Sequence, residues 1–148
     1  MLTMGYYIDT VDLENAFGSA RIIELADKDL DGVADAEMVD DAIENAESTV
    51  ESYVARRYDL ADVRTKKPKV VIKLSLDLGL YELAKARDEA LVGEGTDFKE
   101  IHDTAIAMLK DIARGNAVLD VTTVIAEPTM VEMDANDRLF TRTTMKGF

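Results

Sequence analysis

The seventeen-residue stretch VVIKLSLDLGLYELAKA at residues 70–86 constrains the fold more than any other feature. Its residues Ile72, Leu74, Leu76, Leu78 and Leu80 alternate as in a strand. The run from Pro68 to about Leu91 is nevertheless far longer than ordinary strands, and Leu, Ala, Lys and Glu fill its second half. Pro68 suits a first helical position. A helix that is apolar nearly all the way round over its first turns needs neighbours on most sides, so it belongs at the centre of a bundle.

The flanking segments supply those neighbours. From Ala36 to about Tyr58, the positions Val39, Ala42, Ile43, Ala46, Val50, Tyr53 and Val54 recur at steps of three and four, with the Arg57 stem continuing the stripe. Glu44, Glu47 and Glu51 are assigned to the opposite, solvent side of this amphipathic helix. A further helix carries Phe98, Ile101, Ala105, Met108, Leu109 and Ile112 along one stripe. Asp97 and Glu100 are spaced as its capping box, and Gly115 closes it. Near the start, Thr10 is placed to cap a short helix ending at Phe17 and Gly18, and Ser19 to open a second. After Gly115 the texture turns to Thr and Val, is broken by Pro128, and loses its helical period. The expected architecture is therefore mainly α: a bundle of about four to five helices over residues 1–115, followed by an extended C-terminal arm, 116–148, containing short β segments. That arm is expected either to pair with another chain or to fold back on its own helices.

With 148 residues, 47% of them apolar, the chain is long enough for one cored domain. It has no Cys and a single His, His102, which removes disulfides, thiol nucleophiles and multi-His metal sites. No set of converging catalytic groups is visible, so no catalytic residue is assigned. His102, Tyr53 and Tyr58 are read as surface or packing residues. There is neither a secretory signal pattern nor an apolar run long enough for a membrane span, so a cytoplasm-like site of synthesis is expected.

Charge is unevenly placed. Of the net −13, residues 1–51 carry −12, from 14 Asp and Glu against Arg21 and Lys28. Arg56, Arg57, Arg64, Lys66, Lys67, Lys69 and Lys73 then form a basic stretch broken only by Asp59 and Asp62. This stretch is read as a loop. Unlike charge at two places suits contacts between copies or with a charged partner.

The acidic part contains DKDLDGVAD, residues 27–35. Asp27, Asp29 and Asp31 occupy the first, third and fifth positions of an EF-hand loop, Gly32 its sharp turn and Asp35 its ninth position. The twelfth position holds Met38 in place of the bidentate Glu, and Glu37 lies one step early. Two readings follow: a weak Ca²⁺ site formed by Asp27, Asp29, Asp31 and Asp35, or a polar connector in which Asp35 caps the long helix and no cofactor is bound.

The order of these features is itself informative. AFGSARIIELADKDLDGVADAEMVDDAIENAESTVESYVARRYDL, a Leu-rich helix, a helix ending IARGNAVLDV and a closing RLFTRTTMKGF together resemble the Mu-like prophage head–tail adaptor family over nearly the whole chain. The chain departs from that pattern where DLADVRTKK, in place of Pro, follows the RY pair. The resemblance implies a structural virion protein without covalent chemistry, made in the host cytoplasm. It implies a ring of copies, a dodecamer, at the neck beneath the portal protein. That ring would meet a tail terminator or other neck or tail protein, with DNA passing through its lumen unrecognised and no membrane involved. Charge and residue type, in place of any family residue, point to the interface of such a ring: Arg56, Arg57, Arg64, Lys66, Lys67 and Lys69, together with Arg138, Phe140, Arg142, Lys146 and Phe148 of the arm, where cations accompany aromatic anchors.

Overall fold

A computed structural model describes residues 5–124. Its elements in chain order are α1 (Thr10–Phe17), α2 (Ser19–Ala26), α3 (Ala36–Val54), α4 (Leu60–Lys66), α5 (Lys69–Arg87), a short 3₁₀ turn (Glu89–Val92) and α6 (Asp97–Arg114). The strand-like alternation in residues 70–86 is helical throughout, as its length requires. Helix α5 is the hub: it packs chiefly on α3 and α6 and also meets α1 and α2. Val71, Leu74, Leu78, Leu80, Leu83 and Ala84 are buried along it. Ser75, fully enclosed, donates its hydroxyl to the Val71 carbonyl and so enters the core with its polar atom satisfied.

The two longest helices are antiparallel. The end of α3 leads through α4 into the start of α5, and Arg87 at the far end of α5 donates to the Asp27 carbonyl just ahead of α3. With 19 residues each, α3 and α5 span the molecule from end to end, about 28 Å at 1.5 Å per residue. One end therefore holds the loop of residues 27–35, and the other holds α4 with its flanking turns.

Several local assignments differ from the sequence reading. The first helix is capped by Asp9, not Thr10: Asp9 accepts the Asp12 N–H at 2.9 Å while Asp12 accepts the Asp9 N–H at 3.0 Å, a reciprocal box. Thr96, one residue earlier than expected, caps α6 by accepting from the Lys99 N–H, which leaves Asp97 in the first turn beside the positive helix end. Gly115 does close α6, in the left-handed region at φ 83°. Helix α3 stops at Val54 because the chain turns inward to bury Tyr58. The basic stretch is not all loop. Asp59 caps α4, which anchors itself through buried Val63.

The expected β segments of the C-terminal part do not form among the described residues. Residues 116–124 return onto the body: Leu119 is buried and its N–H donates to the Tyr58 hydroxyl at 2.9 Å. The Asp59 N–H donates to the Thr122 carbonyl, and the Val124 N–H to the Arg57 carbonyl. Thr123 makes only an isolated antiparallel bridge with Tyr58. This segment thus follows the fold-back alternative. The rest of the expected arm lies outside the described residues, with Arg138, Phe140, Arg142, Lys146 and Phe148.

Candidate interaction surfaces

Six cationic residues were expected to share one exposed surface, and α4 divides them. Arg64 turns inward across the bundle, where its Nε and Nη2 donate to the two oxygens of Glu51 at 2.7 and 2.8 Å. Its guanidinium also lies 3.7 Å from the centre of the Tyr6 ring. The twofold bond to Arg64 holds the Glu51 carboxyl below the usual carboxylate range despite partial burial, and Glu51 in turn raises the Arg64 guanidinium. Arg64 is thus bonded within its own chain while its side chain remains part-exposed. Arg57 is half-buried, with its guanidinium lying over Gly115, where a side chain would collide with it. Arg56 is exposed and sits above the Tyr53 ring.

The remaining cations form a corner between α4 and α5. Lys66 is exposed and pairs at 3.1 Å with Asp62, whose carboxyl is held low first by the Thr122 N–H. Lys67 and Lys69 flank Pro68, are exposed, and make no ion pair among the described residues. Lys73 lies one turn further and bonds Asp77 at 2.6 Å. Val70 stands among these lysines with 42% of its surface exposed.

At the opposite end, the loop before α3 is organised by its own hydrogen bonds. Buried Asp27 accepts the N–H groups of Asp31 at 3.0 Å and Gly32 at 2.8 Å; Asp31 accepts from Val33. Burial pushes Asp27 up, but the N–H groups of Gly32, Asp31 and Leu30 outweigh it and hold the carboxyl below its ordinary range. Asp29 goes the other way. The Asp31 N–H draws it down, yet desolvation and the neighbouring Asp31, Asp27 and Asp35 carboxylates leave it raised. Carboxylate oxygens of Asp27, Asp29 and Asp31 lie within 4.8 Å of one another and together could hold a cation. Asp35 instead accepts the Lys28 N–H at 2.9 Å and makes no side-chain cap to α3.

One functional-looking group was missed. Glu47, assigned to solvent, is only 4% exposed and accepts three consecutive N–H groups, from Tyr6 at 2.7 Å, Tyr7 at 2.8 Å and Ile8 at 3.0 Å. Beside it the Tyr7 hydroxyl donates to Glu51 at 2.8 Å, and burial followed by that bond raises the phenol well above its usual value. The signal was present in the spacing: Glu47 is four residues after Ile43 and three before Val50, on the inner stripe of α3. His102 is half-buried, its ring tilted against Tyr81 and its Nδ1 3.0 Å from an Asp103 carboxylate oxygen.

Fold and surfaces together define a small, mainly helical protein with opposite charge at the two ends of its longest helices. No helix among the described residues is long and apolar enough to cross a membrane. The family described as Bacteriophage Mu, Gp36 matches residues 7–135, and the chain belongs to that family, a Mu-like phage protein. No curated protein matches the chain.

Proposed function

We propose that the protein is a structural component of a tailed-phage virion: a head–tail connector whose copies form a ring beneath the portal, joining capsid to tail around the DNA channel. Membership of the Mu Gp36 family supports a phage role. The observation that carries the connector reading is the separation of exposed charge to opposite ends of α3 and α5, because a ring of identical chains needs two unlike patches on each copy. In this reading the protein performs no covalent chemistry. Carboxylates facing the lumen keep the phosphate backbone from sticking, and DNA slides past. The arm beyond the described residues anchors the ring to the portal and to neck or tail proteins, through Arg138, Phe140, Arg142, Lys146 and Phe148.

Imaging of purified particles tests the proposal directly. The expected result is a ring of this chain between portal and tail, with unjoined heads and tails when the gene is disrupted. Absence of the chain from mature particles overturns it. Removal of residues 138–148 should leave the helical body folded and prevent attachment to particles.

A second reading is favoured by the proximity of Asp27, Asp29 and Asp31, and makes the loop a weak Ca²⁺ site in a regulatory module. Without the closing Glu, affinity should fall on the order of 10⁻⁴–10⁻³ M, the range of weak EF-type modules. Calorimetric titration with Ca²⁺, and Asp29→Asn as the loss-of-site control, decides this reading.

A further inference from the structure

The two charged ends share a second property that charge alone does not require. At the acidic end, Leu30 is 77% exposed and Val33 63%. Val33 also borders a shallow apolar depression completed by Ile23, Ala34 and Val39. Around it stand the exposed carboxylates of Glu24, Asp29, Asp31, Glu37 and Asp41 against Lys28 and Arg87. At the other end, Pro68 and exposed Val70 are framed by Lys66, Lys67, Lys69 and Lys73. Each end is therefore an apolar centre with a charged rim, the anatomy of a protein–protein contact, and the rims have opposite sign. Tyr6, Val11, Met108, Val118 and Val124 are exposed as well, so exposure alone does not mark a contact; what marks these two ends is exposed apolar surface set beside a concentration of like charge.

We propose that successive copies of the chain join head to tail, with the acidic end of one, centred on Leu30 and Val33, seated on the lysine corner of the next, centred on Pro68 and Val70. The inference rests on the connector reading and specifies its subunit contact. Like ends cannot meet without bringing carboxylate rims or lysine rims together, so a twofold dimer through either end is disfavoured. The arrangement is heterologous and leaves one unsatisfied end at each terminus of any open row, which is relieved when the row closes into a ring. Lys67 and Lys69, which make no ion pair among the described residues, give the corner its selectivity, whereas duplex DNA would use the same lysines without needing Val70 exposed among them.

The chain contains no Cys, so a pair of introduced thiols reports the contact cleanly. Leu30→Cys and Val70→Cys replace exposed side chains and should leave the melting curve unchanged. With a bismaleimide linker, the doubly substituted chain should give a ladder of dimers, trimers and larger species, in solution or within purified particles. The two single variants mixed should give a dimer only, and either alone should stay monomeric. Adding Lys67→Glu and Lys69→Glu to the Val70→Cys chain should cut linking on the order of tenfold or more, and Glu37→Lys with Asp41→Lys on the Leu30→Cys chain should restore it. That rescue cannot arise from misfolding.

Homodimers from either single variant, or no ladder both in solution and in particles, overturn the inference. So does loss of duplex-DNA binding on reversing the lysines while linking persists. A chain found in the virion neck without the ladder leaves the connector reading intact and removes this contact; a ladder from a chain missing from virions does the reverse.

Discussion

Helix α3 carries two acidic regions that look alike in sequence and behave as opposites. Its second half places Glu47 and Glu51 against the body, where they fasten the N-terminal segment and Arg64. Its first half and the preceding loop leave Asp29, Asp31, Glu37 and Asp41 exposed. Charge count does not separate the two regions; helical register does. A carboxylate on the inner stripe must find donors because burying it unpaired would cost several kcal/mol, whereas one on the outer face remains hydrated and available to another molecule. The inner pair therefore belongs to stability, and the outer set to recognition.

The sharpest way to break this contrast is Glu47→Ala. It strands the N–H groups of Tyr6, Tyr7 and Ile8 and should cost about 3 kcal/mol, read as a lower urea midpoint. Glu47→Gln keeps one acceptor oxygen but turns an amide N–H₂ toward the same donors, and should cost about half as much. The neighbouring Gly5 sharpens the same point. A Cβ there would overlap the Glu47 carboxylate, the Ile8 carbonyl and Ile43, so Gly5→Ala should also loosen the N-terminal segment. If Glu47→Ala melts like the parent chain, the distinction between the two regions fails.

Glu51 predicts a smaller effect with a defined pH dependence. Its folded carboxyl ionises more readily than in the unfolded chain, so its contribution is complete above its ordinary value of 4.5 and is lost as pH falls through the lowered folded value. Glu51→Gln should remove about 1 kcal/mol at neutral pH, the part-exposed Arg64 limiting the gain, and should flatten the acid limb of the stability profile. The paired Tyr7 phenol has the opposite sign. Because it is raised in the fold, its contribution is whole below 10.0 and fades as pH rises beyond that. Tyr7→Phe should therefore flatten the alkaline limb.

The same contrast shows what could be read from the chain. Apolar periodicity located α3 and α6, since a helix that buries a continuous stripe writes it into the sequence every three or four residues, whereas α5, whose leucines alternate as in a strand, was placed by its length and composition. Residue type marked the end of α6 at Gly115, where a left-handed residue is needed. Helix α4 was hidden because a seven-residue helix with Val63 as its buried residue has no period to detect, and its lysines read as solvated loop. Glu47 was misplaced, and the Arg64–Glu51 bond went unread, for a related reason: a charged residue type argues for solvent, and only a partner elsewhere in the chain modifies that argument. Glu47 finds its donors about forty residues away, and Arg64 finds Glu51 thirteen residues away. The exposed charges at the two ends needed no such partner, so Lys66, Lys67 and Lys69 were placed correctly on the surface from type alone. The phage identity was legible in the order of motifs along the chain, and the match over residues 7–135 supports it.

The smallest expected effect tests the outer carboxylates. Glu37, Asp41 and Glu44 are exposed and follow one another at steps of four and three along α3, spacings at which like charges on a helix repel by a few tenths of a kcal/mol per pair. Asp41→Asn should therefore leave the fold intact and raise the melting temperature slightly at low salt. The gain should vanish near 1 M salt, where charges are screened over about 3 Å. A loss of stability instead would show Asp41 working for its own chain, as Glu47 does. A gain shows the reverse: the chain tolerates repulsion along this face, and only a cationic partner surface turns that repulsion into attraction. Asp41→Asn should accordingly weaken the Leu30-to-Val70 cross-link while strengthening the isolated fold, a pairing of opposite effects that a purely structural carboxylate cannot produce.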